Sequence, residues 1–440
     1  MAARPIDTTP RRVHGGEWHA VLLSFAYFFC VLAAYYMIRP VREQLSAAVG
    51  STQLPWFYAA TLVTMLALAP VFGTLVSRYP RRIVVPVVYL FFIACLLGFV
   101  PLFAMPGLLG PRVLGTVFFV WVSVFNLFVV SVFWSFMADI WDEAQSRRLF
   151  PIIAVAGTAG AVAGPILTRT LVGVIGIAPL LLVSASLLGI AVACVVLLGR
   201  WARVHGKRRH EAGHEAAVGG GMWDGLKQIF ASPFMRGMAI LLLLADGIGT
   251  VNYALVADYS GAAFDDAVSR TRFAANVDLA ANVLTAITQI TLTRWLLPRS
   301  GPGPVIAIWA LVSTVALLMV VLVADPQAAL VATMPAVAIA LIVSRGLAYG
   351  MAEPARHSLF TRVPRSIRYK GQNVVDTAVW RFGDLTIALG MNGLRALGVV
   401  TAGFAGLSAV AAISAAVIGW RLSKRVQSQL PPVHKPLVDA

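Results

Sequence analysis

Acidic side chains are scarce in this chain: 19 Asp and Glu in 440 residues, against 35 Lys and Arg. Charge of either sign is thin, at 12% of residues, while 59% are hydrophobic. That balance excludes an ordinary water-soluble globule, which carries about a quarter charged residues. Cysteine is rarer still. Cys30, Cys95 and Cys194 all fall in apolar runs, without paired or metal-ligand spacing. They read as small buried fillers, not as a disulfide framework or a zinc site. There is no Gly-rich phosphate loop ending in Lys-Ser/Thr, so hydrolysis of a nucleoside triphosphate is not expected. No cleavable leader is expected either, because the first apolar run is long and lacks an Ala-x-Ala exit.

What the chain has in quantity is apolar runs. A spanning helix needs about 20 apolar residues. Suitable stretches occur at Trp18–Ile38, Leu54–Val76, Ile83–Phe103, Val113–Met137, Leu149–Gly173, Ile177–Leu198, Phe234–Val256, Phe273–Leu297, Val305–Val323, Ala328–Tyr349, Val374–Leu397 and Val399–Trp420. The expected class is an all-α polytopic membrane protein with twelve transmembrane helices in two six-helix bundles. The expected division is residues 1–199 for the first bundle, 200–230 for a linker, 231–425 for the second bundle and 426–440 for a tail. The net charge of +16 is spread over short loops. Alternate loops are rich in arginine, among them the segments with Arg81 and Arg82, Arg147 and Arg148, and Arg200 to Arg209. By the positive-inside rule these loops, the linker and both termini are cytoplasmic, in the cell inner membrane. The basic excess is thus a topology signal, with the lipid bilayer as partner and no nucleic acid expected.

The linker contains His210-Glu211-Ala-Gly-His214, which has the letters of a zinc-protease helix. Gly213 weakens a helix there and no third ligand is evident, so a solvated linker is expected, with neither metal nor cofactor.

Two sets of six helices joined by a cytoplasmic loop resemble the major facilitator superfamily, whose substrates bind near the midplane between related halves. Gly73-Thr-Leu-Val-Ser-Arg78-Tyr-Pro-Arg81-Arg82 resembles that superfamily's loop between the second and third helices, which can lock an inner gate. Ser77 stands where an acid is usual and Pro80 where glycine is. Ordinary topology-setting arginines are the alternative. Gly157, Gly160, Gly164 and Pro165 share one side of the fifth helix. They suit either close backbone packing or an exchanger-type glycine-proline motif.

Ionisable residues inside spanning segments cost about 2.5–3.5 kcal/mol on insertion scales, so they face a cavity or a partner. Here they are Asp139, Asp246, Asp278, Arg345, Glu353, Arg381 and Asp384. Pairing, such as Arg381 with Asp384 or Asp246, is one reading. Gating or carriage of coupling protons is the other. The first helix poses the same choice. "YYMIRPVREQL" either ends at Pro40 with its arginines among headgroups, or continues to about Ala48 with Gly50 as its stop. In a continuous helix Tyr35, Arg39 and Arg42 fall on one face and suit an anion with several oxygens.

The same residues resemble the first-helix element of the ATP/ADP translocase (nucleotide transporter) family, with Arg39, Arg42 and Glu43 matching its Arg, cation and acid. Phe133 to Gly157, "FWSFMADIWDEAQSRRLFPIIAVAG", and Arg368 to Asp384, "RYKGQNVVDTAVWRFGD", resemble two further segments of that family. The resemblance implies a secondary transporter for an anionic small molecule, with Lys370 and Arg381 as additional candidates for binding it. The chain departs from the family twice. Gly383-Asp384 replaces Gly-Lys, and the acid expected in the fourth helix is absent, that region carrying Ser123 and Asn126. Alternatives are a proton-coupled carrier of another small metabolite, a transporter-fold sensor without flux, and a membrane enzyme.

Overall fold

In the computed structural model, residues 17–79, 81–105, 107–205, 232–323, 325, 328–331, 334–360 and 379–428 are described. Among them, twelve helical stretches follow one another. They are α1 (Trp18–Val49), α2 (Leu54–Arg78), α3 (Arg81–Ala104), α4 (Pro111–Ile140), α5 (Glu143–Ile175), α6 (Ile177–His205) and α7 (Pro233–Ala263). Then come α8 (Ala267–Thr288, continuing through a π turn at Gln289–Thr293 into Arg294–Ser300), α9 (Pro302–Leu322) and α10 (Ala336–Leu347, continuing through a π turn at Ala348–Ala352 into Glu353–Phe360). The last two are α11 (Trp380–Ala396) and α12 (Thr401–Ser428). Among the described residues nine helices are long and apolar enough to cross a membrane. Their outward faces are apolar, as lipid requires, with Leu90, Phe91, Ile190, Leu311 and Val410 exposed.

The first helix continues unbroken through Pro40 and ends at Val49, 32 residues in all. At 1.5 Å per residue it is about 48 Å long, well beyond the ~30 Å hydrocarbon core. Gly50 stops it, with φ +82° and its N–H on the Ser46 carbonyl at 3.0 Å. The short 3-10 turn Ser51–Gln53 then leads into α2. The tenth span differs from expectation. Its first residues form a small hairpin, with β1 (Ala329–Val331) antiparallel to β2 (Met334–Pro335). Pro335 precedes the helix and Ala336 opens it, because proline has no N–H for a helix interior. The helix then runs past Tyr349 to Phe360.

The chain forms two compact units. The first holds residues 1–41, 65–110 and 121–210. In it α3 packs on α6. Tyr27 donates to the Tyr89 hydroxyl at 2.8 Å, and Tyr89 donates to the Val129 carbonyl at 2.9 Å. α5 lies hard against α1. A Cβ at Gly160 would strike the Phe29 carbonyl, and one at Gly164 would sit 2.8 Å from the Ala33 carbonyl. The glycine stripe therefore serves close packing here, reinforced by Thr168 donating to the Met37 carbonyl at 2.9 Å.

The second unit holds residues 42–64, 111–120 and 211–440. Its core is built from α7 to α12 together with Leu54, Phe57, Tyr58 and Phe119. α8 and α10 meet at their π turns. A π turn frees carbonyls from the i→i−4 ladder, and α8 side chains take them up. Thr293 Oγ1 donates to the Gly350 carbonyl at 2.6 Å, Gln289 Nε2 to that of Tyr349 at 3.2 Å, and Thr285 Oγ1 to that of Gly346 at 3.1 Å.

Candidate functional site

In the first unit, Tyr35 is buried against Tyr36 and Phe125, with ring centroids 4.9 and 6.3 Å away. Arg39 is 4% exposed and lays its guanidinium over the Tyr36 ring at 5.6 Å. Asp139 is exposed at the end of α4. Gly73 and Arg78 occupy the last turns of α2, and Arg81 and Arg82 open α3. The sequence reading missed an ionic cluster. Glu17, just before α1, accepts from Arg148 at 2.7 Å and from Gln145 at 2.9 Å, while Gln145 also closes the capping box of α5 with Asp142. The box pattern, an Asp three residues before a Gln, was legible. The partner Glu17 was not.

The second unit holds most of the ionisable candidates. Arg42 leaves α1 beneath the Phe119 ring, 4.8 Å from its centroid, and donates to Glu43 Oε1 at 2.6 Å. Both side chains are nearly buried, 13% and 12% exposed. Consecutive helix residues point about 100° apart, so this pair is not one that helical spacing provides.

Glu43 also lines a small cavity of about 30 Å³, with Tyr253 and Ser260 of α7, Phe273 and Asp278 of α8 and Arg345 of α10. Arg345 Nη1 meets Asp278 Oδ1 at 3.3 Å, joining α10 to α8 through two intramembrane charges. The cavity thus combines both signs of charge with apolar walls.

A second ionic group lies on α7 and α11. Asp384 accepts from Thr250 Oγ1 at 2.9 Å and from Arg381 Nη1 at 3.4 Å. The expected pairing of Arg381 with Asp384 is therefore present. Asp246, one turn before Thr250, approaches Gly383. A Cβ there would stand 3.2 Å from Asp246 Oδ2. Glu353 is engaged on its own helix, by Arg356 at 2.7 Å and His357 at 3.3 Å. Lys370 lies outside the described residues, as does the His210–His214 segment.

One further group escaped sequence reading. Asp258, near the end of α7, accepts from Ser51 N at 2.9 Å, Ser51 Oγ at 2.7 Å and Arg395 at 2.6 Å. Asn392 adds a bond to the Thr52 carbonyl at 2.9 Å. Residues 207 and 137 positions apart in sequence carry no local signal of such a meeting.

No known family matches the sequence, and no curated protein does. Solved structures do match the fold. A bacterial homologue of the human lysosomal transporter Spinster, in an inward-facing and unoccupied conformation, aligns with TM-score 0.59 at 13% identity, over 96% of this chain and 100% of that one. The nucleoside transporter NupG aligns with TM-score 0.58 at 14% identity, over 95% and 100%. The POT family transporter PepTSo aligns with TM-score 0.63 at 11% identity, over 94% and 99%.

The fold is that of the major facilitator transporters. Within the major facilitator fold, the cavity residues and the Asp246–Asp384 group belong to one unit, whereas Tyr35 and Arg39 belong to the other.

Proposed function

We propose that the protein is a secondary transporter, not an enzyme, that moves an organic anion such as a nucleotide or phosphorylated metabolite by alternating access. The carrying observation is Arg42. It lies on an uninterrupted first helix, stacked on Phe119 and held at 2.6 Å by the chain's own carboxylate, Glu43. An arginine on an aromatic face keeps its planar fork open at the edge, the geometry that suits carboxylate or phosphate oxygens. Glu43 then stands in for the substrate's anionic group and is displaced by it.

Tyr35, Arg39, Lys370 and Arg381 are proposed as further contacts to the substrate. Asp139, Asp246, Asp278, Arg345, Glu353 and Asp384 are assigned to gating or coupling, with protons as the coupling ion. Gly73, Arg78, Arg81 and Arg82 are assigned to the inner-gate loop. The three segments resembling the ATP/ADP translocase family support a nucleotide-like substrate, while Asp384 in place of the family's lysine speaks for one with a different charge. The loop arginines support an inner-membrane location with both termini cytoplasmic.

The test is binding by thermal shift. Purified protein is screened with nucleotides, sugar phosphates and carboxylates. Arg42→Lys and Arg42→Gln are then titrated with the best ligand, with exposed Arg112 substituted as control. Loss of a charge-assisted bond costs roughly 1.5–3 kcal/mol, so affinity falls about tenfold to a hundredfold in both Arg42 variants. Parent-like binding in both would remove Arg42 from the site. Ligand uptake into proteoliposomes separates a transporter from a sensor of the same fold.

A further inference from the structure

The outward stripes of α8 and α12 each end in a tryptophan with a cation folded over it. On α12 the stripe is Val410, Ile413, Val417 and Trp420, all exposed, with Lys424 one turn beyond. Lys424 Nζ stands 5.7 Å from the Trp420 ring centroid. On α8 the stripe is Ile287, Ile290 and Trp295, also exposed, with Arg299 one turn on. Ile290 and Trp295 are five residues apart, where an ordinary helix repeats after three or four. The π turn at Gln289–Thr293 supplies the extra residue and keeps Trp295 on the outward face. The Arg299 guanidinium covers its ring at 4.9 Å and donates to the Trp295 carbonyl at 3.2 Å.

The first turn of α9 joins the two. Gly301, at φ +75°, ends α8 and turns the chain into Pro302. A Cβ at Gly303 would stand 2.9 Å from the Ser423 Cβ and 3.6 Å from the Trp420 ring. Gly303 thus lets α12 close on α9. It is four residues from Arg299, at most about 14 Å of chain, so both tryptophan–cation pairs border this turn. Arg294 and Arg421 are exposed on the same helix ends, without such a ring among the described residues. Asp258, Asp266 and Asp325 lie toward the opposite ends of α7, α8 and α9. Glu353 of α10 is engaged by Arg356. Residues 206–231, 361–378 and 429–440, outside the described residues, hold nine Lys and Arg against five Asp and Glu, so their net charge has the same sign.

We propose that this end of α8, α9 and α12 is a binding site for the headgroup of an anionic phospholipid. Arg299 and Lys424 meet the headgroup phosphate, and the acyl chains lie along the two apolar stripes. Tryptophan suits the boundary, with an apolar body toward hydrocarbon and a polar edge toward water. A cation resting on a ring face keeps its outward hydrogens for phosphate oxygens, and its stem stays on apolar surface. Basic pockets between helix ends at the membrane surface take acidic headgroups in this way. The stripes leading to both pairs are apolar as hydrocarbon contact requires, so the occupant is a lipid, not a soluble anion. On the topology proposed above it belongs to the cytoplasmic leaflet. The site itself does not depend on the transport reading.

The experiment is native mass spectrometry of the purified full-length protein in detergent, titrated with phosphatidylglycerol and with phosphatidylcholine of the same chains. The first phosphatidylglycerol binds the parent more tightly than phosphatidylcholine, on the order of tenfold, the attraction expected of cations near an acidic headgroup. Arg299→Gln with Lys424→Gln removes most of that preference. Trp295→Leu with Trp420→Leu keeps every charge and lowers the preference about threefold, because the cations lose their rings. All four side chains are exposed, so both variants keep the parent's elution profile and melting temperature. Arg294→Gln with Arg421→Gln removes the same charge from the same helix ends and keeps most of the preference. The proposal fails if the parent shows no preference, or if Arg299→Gln with Lys424→Gln keeps it. An equal loss in the Arg294 and Arg421 variant, or no loss in the tryptophan variant, would reduce the site to general helix-end charge and also overturn it. Glycerol phosphate, which lacks chains, is added last. If it displaces phosphatidylglycerol at comparable concentration, the site reads a soluble anion and the lipid assignment is wrong.

Discussion

Gly160 and Gly164 are the residues where α5 leaves no room beside α1. A methyl group at Gly160 meets the Phe29 carbonyl and one at Gly164 meets the Ala33 carbonyl, backbone atoms that cannot turn aside as a flexible side chain does. Gly160→Ala is expected to lower stability by about 1–3 kcal/mol, seen as a lower melting temperature in detergent, whereas Gly189→Ala, which has open space around its Cβ position, leaves it unchanged. The sequence announced this stripe by its helical spacing. It did not announce Arg42 with Glu43, since neighbours in a helix diverge, nor Asp258 with Ser51 and Arg395, whose partners are far apart in the chain. Asp258→Asn keeps a hydrogen-bond acceptor but removes the charge that faces Arg395. With more than a third of the Asp258 side chain exposed, the expected loss is under about 1 kcal/mol. Arg395→Ala in the same background should then add little, and a double-mutant cycle checks it.

At the scale of the helix, the paired π turns of α8 and α10 are the feature most open to test. Gly350 sits where a Cβ would collide with the Thr288 hydroxyl. Gly350→Ala is expected to cost about 1–3 kcal/mol, and Thr288→Ala in the same chain to recover much of it by vacating the space. Thermal melting of the two single variants and the double variant reads the recovery. The start of α8 offers a pH test. Asp266 caps it, accepting from Ser269 N at 2.8 Å, and hydrogen bonds from Ser269 hold its carboxyl below the ordinary aspartate value. A depressed folded-state value means that the cap's contribution is present above the unfolded value and is lost as pH falls through the folded one. Hydrogen exchange at Ser269 and Arg270 should therefore quicken below the usual aspartate range, and quicken at all pH values in Asp266→Ala. Apolar runs located the helices because lipid demands them. Their ends were legible where glycine or proline fixes the backbone, as at Gly50. They were misread at Ala328–Pro335, where the apolar letters form a hairpin and Pro335 delays the helix. Nothing in residue type marks a π turn.

The whole molecule divides in a way that no linear reading supplies. Composition gave an all-helical membrane fold, because long apolar runs follow from solvation by lipid. The grouping of residues 42–64 and 111–120 with 211–440 follows from contacts between distant segments, which leave no local pattern. One consequence concerns the order of synthesis. Leu54, Phe57, Tyr58 and Phe119 are made early, yet the core they complete consists mainly of helices made last. A nascent chain that has reached only His205 keeps the Phe57–Phe119 and Tyr58–Phe119 ring contacts but lacks the α7–α12 side chains that complete this core. Residues 1–205 expressed alone should be cut readily by protease between Arg42 and Thr64. Co-expression of 206–440 as a separate chain should restore resistance, and resistance of the early fragment by itself would show that the translocon-released half matures without its successor.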